Sequence, residues 1–269
     1  MCWRVVAASC VGTSHAATGM PCQDSVGTEL VELKNETVLL AVVSDGAGSA
    51  AHSEVGSSKA VETMCRLARD FLSDHTIASI GRKTAEDWLS AIQVEINTIA
   101  EQHSAAARDF ACTLLVAIVG ADSAAFLQVG DGAIAVAKAS DSREWFPVFW
   151  PQHGEYVNTT NFVTMANAVD VLDFVVLNER IDGLASFSDG LENLVLDHAN
   201  KRAHAPFFNS MIGQVRQQAN HGFDEHVSRM LHDYLASEKV CARTDDDKSL
   251  ILASRVVANE EPARASSDS

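Results

Sequence analysis

Hydrophobic residues fall along this chain in two rhythms. Short apolar blocks, each stopped by Gly, Asp or Pro, read as strands: Trp3–Cys10, Val38–Val43, Ala111–Val119, Ala124–Val129, Ala133–Ala137, Phe174–Leu177, Leu184–Ser188 and Ser249–Val257. Weaker strand signals at Trp145–Trp150 and Phe162–Met165 flank a loop, Pro151–Thr160. Two long stretches keep helical spacing instead. Ala51–Leu72 carries Val55, Ala60, Val61, Met64, Cys65, Leu67, Ala68 and Phe71 on one face; Ala85–Ala107 carries Trp88, Leu89, Ile92, Ile96 and Ile99. Ala205–Gln218 and Asp224–Ser237 return to the same spacing. Gly12–Asp24 reads as a loop, Asn35-Glu36 as a turn, and Ser73–Thr84 as a connection with no definite pattern. Asp131-Gly132, between two apolar blocks, is a hairpin signal. Strands, a helix pair, strands, a second helix pair and a last strand predict α+β layers with antiparallel sheets, not regular βαβ units. Residues 1–257 are expected to form one domain and residues 258–269 a polar tail that need not be ordered.

Charge and cysteine usage narrow the partners. The chain of 269 residues carries 36 acidic against 20 basic side chains, a net charge of −16. That balance argues against nucleic acid and against an anionic membrane surface as partners. The six cysteines (Cys2, Cys10, Cys22, Cys65, Cys112 and Cys241) are widely spaced, with no zinc-site pattern. Cys10, Cys65 and Cys112 sit in apolar patterns as buried thiols, which points to a reducing, cytoplasmic setting. No apolar run is long enough to span a bilayer. The aromatic cluster Trp145, Phe146, Phe149 and Trp150 reads as core packing, with a docking surface as the alternative. The remaining histidines, His153 included, read as surface or packing residues.

Three separated strands each end on an Asp beside a Gly. Val38–Val43 runs into Ser44-Asp45-Gly46, Ala185–Phe187 into Ser188-Asp189-Gly190, and Ala124–Val129 into Gly130-Asp131-Gly132. Two further acids lie at strand edges: Asp24 in Pro21–Ser25, and Asp246 in the run Thr244–Ser249. Any one could be only a turn former or a solvated loop residue. Together they would make a carboxylate cluster suited to hard divalent cations, which prefer oxygen ligands.

In order along the chain, Gly19–Ser25 (GMPCQDS), Val43–Ser49 (VSDGAGS), Asp109–Leu114 (DFACTL), Val129–Gly132 (VGDG), Ser186–Leu194 (SFSDGLENL) and Thr244–Leu252 (TDDDKSLIL) resemble the metal-dependent Ser/Thr protein phosphatases of the PPM type, bacterial branch. The resemblance spans roughly residues 5 to 257. It implies a four-layer α-β-β-α sandwich, two antiparallel sheets flanked by helix pairs. It implies hydrolysis of phosphoserine and phosphothreonine by water activated at two Mn²⁺ or Mg²⁺ ions, with no protein nucleophile. By motif position Asp45 would bridge both ions, with the Gly46 carbonyl on one of them. Asp189 and Asp246 would help hold the other, and Asp24 would support the site. Asp131 would help hold a third ion. Asp246 is preferred to Asp247 because it stands three residues before Ser249.

Two positions depart from that pattern. No Arg precedes Gln23-Asp24 where many members grip the phosphate, and His15 is the nearest candidate for that role. Ala47 stands where some members carry a His after Asp-Gly; His52 is close by but reads better as the start of a helix. The expected partner is a phosphorylated protein, a Ser/Thr kinase or its targets. The missing Arg keeps open an inactive phosphatase-fold binding or regulatory module, and a hydrolase of small phosphate esters is a third reading.

Overall fold

The structure is a computed structural model that describes residues 2–152, 160–218 and 221–256. It opens with β1 (Trp3–Cys10), a short helix α1 (Thr13–Thr18), β2 (Ser25–Glu32) and β3 (Thr37–Ser44). Two long helices follow, α2 (Ser53–Leu72) and α3 (Arg82–Gln102). Then come β4 (Leu114–Val119), β5 (Ala124–Val129), β6 (Ala133–Lys138), β7 (Asp141–Pro147), β8 (Asp173–Leu177) and β9 (Ile181–Phe187). A short α4 (Glu192–Val195) and a small ribbon, β10 (Leu196–Asp197) with β11 (Arg202–Ala203), lead to α5 (Ala205–Arg216) and β12 (Gly222–Phe223). The described chain closes with α6 (Glu225–Leu235), α7 (Glu238–Cys241) and β13 (Lys248–Arg255).

The strands form two large sheets, ordered β12-β1-β13-β9-β6-β7 and β2-β3-β4-β5-β8. Pairing is antiparallel throughout both, apart from the two-residue parallel contact of β12 with β1. Strand alternation builds the layers. On β3, Val38, Leu40 and Val42 pack against Met64 of α2 and Ile92 of α3, while Leu39, Ala41 and Val43 face the other sheet. On β13, Leu250 and Leu252 meet Phe208, Ile212 and Leu231 of α5 and α6, while Ile251 and Ala253 turn inward. Each central strand is therefore covered on both faces, which is why its sequence runs apolar without alternation. The result is the expected four-layer order of helix pair, sheet, sheet, helix pair.

Several expectations need correcting. Asp131-Gly132 does not close a hairpin: β5 pairs with β4 and β8, whereas β6 pairs with β7 and β9, so the chain changes sheets at this corner. Both flanking strands are apolar on both faces, and the pattern alone does not say which sheet each joins. Gly130 has φ +119, a backbone state that L residues rarely adopt, and a Cβ there would press on Thr113. Phe162–Met165 forms turns, not a strand. Val163 is buried because it packs on the α2–α3 core, and its N–H donates to the Cys112 carbonyl at 2.9 Å. The Gly12–Asp24 loop contains α1, which buries no residue and so leaves no periodic mark. Strand β2 had no clear signal because it is an edge strand, partly exposed along most of its length. Strand β7 begins earlier than Trp145 and ends at Pro147. Of the aromatic cluster, Trp145 stacks on Phe208 in the core while Phe146 is exposed. His153, most of the Pro151–Thr160 loop and the 258–269 tail lie outside the described residues. Among the described residues no helix is long and apolar enough to cross a membrane.

Candidate metal centre

The edge of the sandwich where β3 and β9 end, β13 begins and β5 passes to β6 gathers the predicted acids. Asp45 arrives at the tip of β3, and Thr113 fixes its backbone from both sides. The Asp45 N–H donates to Thr113 Oγ1 at 2.9 Å, and the Thr113 N–H donates to the Asp45 carbonyl at 2.8 Å. Ser44 Oγ donates to the Thr113 carbonyl at 2.6 Å. Gly46 is wedged against the Gln23 carbonyl and Ser53, so any side chain there would displace the Asp24 loop or the start of α2. Asp189 opens the turn after β9 and shares a hydrogen bond with Asp45, side chain to side chain.

Asp24 is buried beneath them. Its Oδ2 accepts from Ser188 Oγ at 2.7 Å, and Ser188 Oγ in turn accepts the Ser249 N–H at 3.0 Å. Thus the residue before Asp189 and the first turn of β13 both hold Asp24. The acidic run before β13 divides into two roles. Asp247 is buried and both its oxygens are engaged: Oδ1 accepts the Gly12 N–H and Oδ2 the Gln23 N–H, each at 2.6 Å. Asp246 stays exposed, with Oδ1 accepting the Asp247 N–H at 2.8 Å, and its charge is felt by Asp45 and Asp189. Asp247 therefore clasps the α1 loop, while Asp246 lies exposed with its charge acting on Asp45 and Asp189. Asp131, at the corner between the sheets, acts electrostatically on Asp189 and accepts from Thr160 Oγ1.

His15, on α1, sets Nδ1 3.0 Å from Asp247 Oδ2. Its Nε2 lies 3.6 Å from where a Gly48 Cβ would stand, beside the Asp45–Ser49 turn. His52 is not part of this cluster. It begins α2, and its ring lies 5.1 Å from Phe110 and 5.3 Å from His103.

Electrostatics show what such convergence costs. Burial pushes the Asp24 carboxyl up to about 7, with Asp247 and Asp189 adding to the effect against the lowering hydrogen bonds of Ser188 and Ser249. Burial, then the charges of Asp24 and Asp189, hold Asp45 well above the usual carboxylate range. Burial raises Asp189 to about 7, with Asp131, Asp246 and Glu192 contributing and the Asp45 hydrogen bond opposing. Clustered carboxyls in a low-dielectric pocket must either hold protons or attract cations. Among the described residues Asp24 Oδ1 and Asp189 Oδ1 are buried without a hydrogen-bond partner, acceptors that a cation would use. Among the described residues no group of three or more His, Cys, Asp or Glu side chains stands placed to hold a metal ion as it is. The donor set fits hard divalent ions, which prefer carboxylate and carbonyl oxygens.

The sequence singled out Asp24, Asp45, Asp131, Asp189 and Asp246, and the structure brings all five to one edge. It missed Thr113, Ser188 and the clasp role of Asp247. Thr113 and Ser188 lie inside the family-like segments, but their partners are distant in sequence.

The protein phosphatase 2C family profile matches residues 11–236. An Escherichia coli K12 protein named serine/threonine-protein phosphatase 3 is 34% identical over 255 residues, covering 94% of this chain and 98% of that protein. The fold is also shared with solved structures of low identity. The serine/threonine phosphatase Stp1 from Staphylococcus aureus has a TM-score of 0.60 at 17% identity, covering 96% of each chain. The catalytic domain of the serine/threonine protein phosphatase PstP, solved in complex with two manganese ions, has a TM-score of 0.61 at 15% identity, covering 95% of this chain and 99% of that one. Sequence over most of the chain, sheet order and the acids at one rim agree: this chain belongs to the protein phosphatase 2C family.

Proposed function

We propose that this chain is a serine/threonine phosphoprotein phosphatase that works with two Mn²⁺ or Mg²⁺ ions. The observation that carries the reading is the meeting of Asp24, Asp45 and Asp189, from three separate stretches, where burial makes bare negative charge costly, with Asp246 exposed beside them. When bound, two such ions clamp a phosphate and lower the pKa of water enough for it to attack phosphorus. Asp45, the Gly46 carbonyl, Asp189 and Asp246 would hold them, Asp45 shared between the two, with Asp24 in support and Asp131 on a third ion. The family match, the name of the E. coli relative and the manganese complex of PstP support this reading.

The chain's own residues set the site. Thr113 fixes where Asp45 points, Ser188 and Ser249 fix Asp24, and Asp247 ties the α1 loop to β13. His15, whose Nδ1 lies 3.0 Å from Asp247 Oδ2, offers Nε2 to the substrate phosphate in place of an Arg. A thiolate nucleophile is disfavoured: burial pushes Cys22, Cys65 and Cys112 up to about 12. We take residues 1–257 as one catalytic domain, because the acids come from the ends of both sheets. We place the enzyme in the cytoplasm, where the free thiols of all six cysteines persist and kinase products are its substrates.

The test is Mn²⁺-dependent hydrolysis of a phosphothreonine peptide and of p-nitrophenyl phosphate. EDTA should stop both, and Asp45→Asn should lower turnover by at least about a thousandfold. A variant with a near-normal rate would remove Asp45 from this role. The absent Arg favours one second reading, a binding module; intact metal binding with no hydrolysis of either substrate would support it.

A further inference from the structure

A hollow of about 300 Å³ lies among α4, the start of α5, the end of α6 and α7. Leu194, Phe207 and Tyr234 give it an apolar floor, and Lys239, Arg243 and His204 supply its polar rim. No acid lines it, in a chain with 36 acidic and 20 basic residues. Lys239 and Arg243 are exposed and, among the described residues, make no ion pair or side-chain hydrogen bond. Many exposed cations elsewhere are spent on neighbours, Arg66 and Arg69 on Glu95 and Glu29, Arg82 on Glu86, Lys83 on Asp87, though among the described residues Lys34 and Arg143 are not. An adjoining hollow shares His204 and Pro206 and adds Lys201 and Arg202, opposed there by Glu144 and Asp197. Lys239 and Arg243 thus form a pair of unspent cations over one apolar hollow of an acidic protein.

That place borders the metal centre. Helix α4 follows directly from the Asp189–Leu191 turn, and Arg243 stands three residues before Asp246. Three residues of chain span at most about 11 Å. A peptide whose phosphate sits at the acids can therefore bring a side chain three or four positions away over Arg243 and Lys239. Charge complementarity selects an acidic side chain, and the floor of Leu194, Phe207 and Tyr234 accepts an apolar one beside it.

Building on the phosphatase reading, we propose that this hollow docks an acidic segment of the phosphoprotein substrate, three to four residues from the phosphorylated position. It is a specificity site and takes no part in the chemistry.

Two phosphothreonine peptides test this, one with Glu or Asp three and four residues from the phosphothreonine on both sides and one with Gln there. Each is assayed with the wild-type chain and with Lys239→Glu/Arg243→Glu in Mn²⁺. Wild type should prefer the acidic peptide. The variant should lose about tenfold in kcat/KM on it, through KM, and 0.5 M salt should erase the preference. Hydrolysis of p-nitrophenyl phosphate and of the neutral peptide should stay within twofold. Equal treatment of the two peptides by wild type, or equal loss on every substrate in the variant, overturns the proposal. If wild type hydrolyses nothing, the phosphatase reading fails by itself. Fluorescence anisotropy of the labelled acidic peptide then still decides docking: wild type must bind it, the variant must bind it about tenfold more weakly, and equal binding overturns the proposal. The variant Lys239→Gln/Arg243→Gln should show a smaller loss of the same kind, whereas binding that follows phosphatidylserine vesicles and not the peptide overturns it.

Discussion

Replacing Asp189 with Asn isolates the electrostatic cost of the metal centre. Without divalent ions the folded chain must bury carboxyls that burial pushes up to about 7 at Asp24 and Asp189. In an unfolded chain an Asp titrates near 4. Between about pH 4 and pH 7 the folded state therefore holds protons that the unfolded state has released, so stability falls as pH rises. The contribution of such a group is fully present below about pH 4 and is lost as pH passes through about 7. Three pH units at about 1.36 kcal/mol each set a ceiling of roughly 4 kcal/mol for Asp189. Asp189 is partly exposed and shares its proton with Asp45, so we expect about 1–3 kcal/mol. Asn resembles the protonated acid in carrying no charge, and its Oδ1 can still accept from Asp45. At roughly 2–4 °C per kcal/mol for a chain of this size, metal-free Asp189→Asn should melt about 3–10 °C above wild type at pH 7.5. The gap should close by pH 5, where wild type is protonated as well. Calorimetry in EDTA from pH 5 to pH 8 measures both curves. Adding Mn²⁺ should raise the wild-type melting temperature and raise the variant's much less, because binding to the folded state alone stabilises it. A variant that melts below wild type across the range, or by a constant amount at every pH, would refute the reasoning. So would a wild-type melting temperature indifferent to Mn²⁺ and EDTA.

Two further substitutions follow from the geometry. Gly190→Ala would drive a Cβ into the backbone carbonyl of Asp247, so the start of β13 must move; we expect a loss of about 2–3 kcal/mol in a denaturant titration together with weaker metal binding by calorimetry. His15→Ala should raise KM for a phosphopeptide about tenfold while kcat stays within about threefold, the pattern for a lost charge-assisted contact to the phosphate, and a drop in kcat alone would assign His15 elsewhere.

Much of the fold was legible because burial on both sides leaves a strong mark. Val38–Val43 and Ala124–Val129 are apolar throughout since helices cover one face of their sheet and the other sheet covers the second. The faces of α2 and α3 were legible through Met64, Trp88 and Ile92, which all point into one core. What failed had no such mark. Helix α1 buries nothing, β2 is a half-exposed edge, and the Asp131-Gly132 turn reads the same whether the next strand folds back or crosses to the other sheet. At the site, strand tips announced Asp45 and Asp189, because a carboxylate straight after an apolar run has few places to go. The supporting contacts were illegible. Asp247 and Gly12 are 235 residues apart, and Ser188 and Asp24 164 apart; no local pattern records either pair.

The long-range contacts also explain how so acidic a rim folds at all. Among the described residues no Lys or Arg forms an ion pair with Asp24, Asp45, Asp189 or Asp246. The cation nearest in sequence, Lys248, is fully buried and turns its Nζ to the Asp246 carbonyl at 3.0 Å, not to a carboxylate. The fold answers its acids with neutral donors instead: Ser188 to Asp24, and the amides of Gly12 and Gln23 to Asp247. Such donors fix where each carboxyl points but leave most of its charge uncompensated. A permanent ammonium or guanidinium at this rim would stabilise the metal-free chain and, by the same amount, weaken the hold on exchangeable ions. A cluster oriented by dipoles and left short of positive charge is a rim built to take that charge from solution.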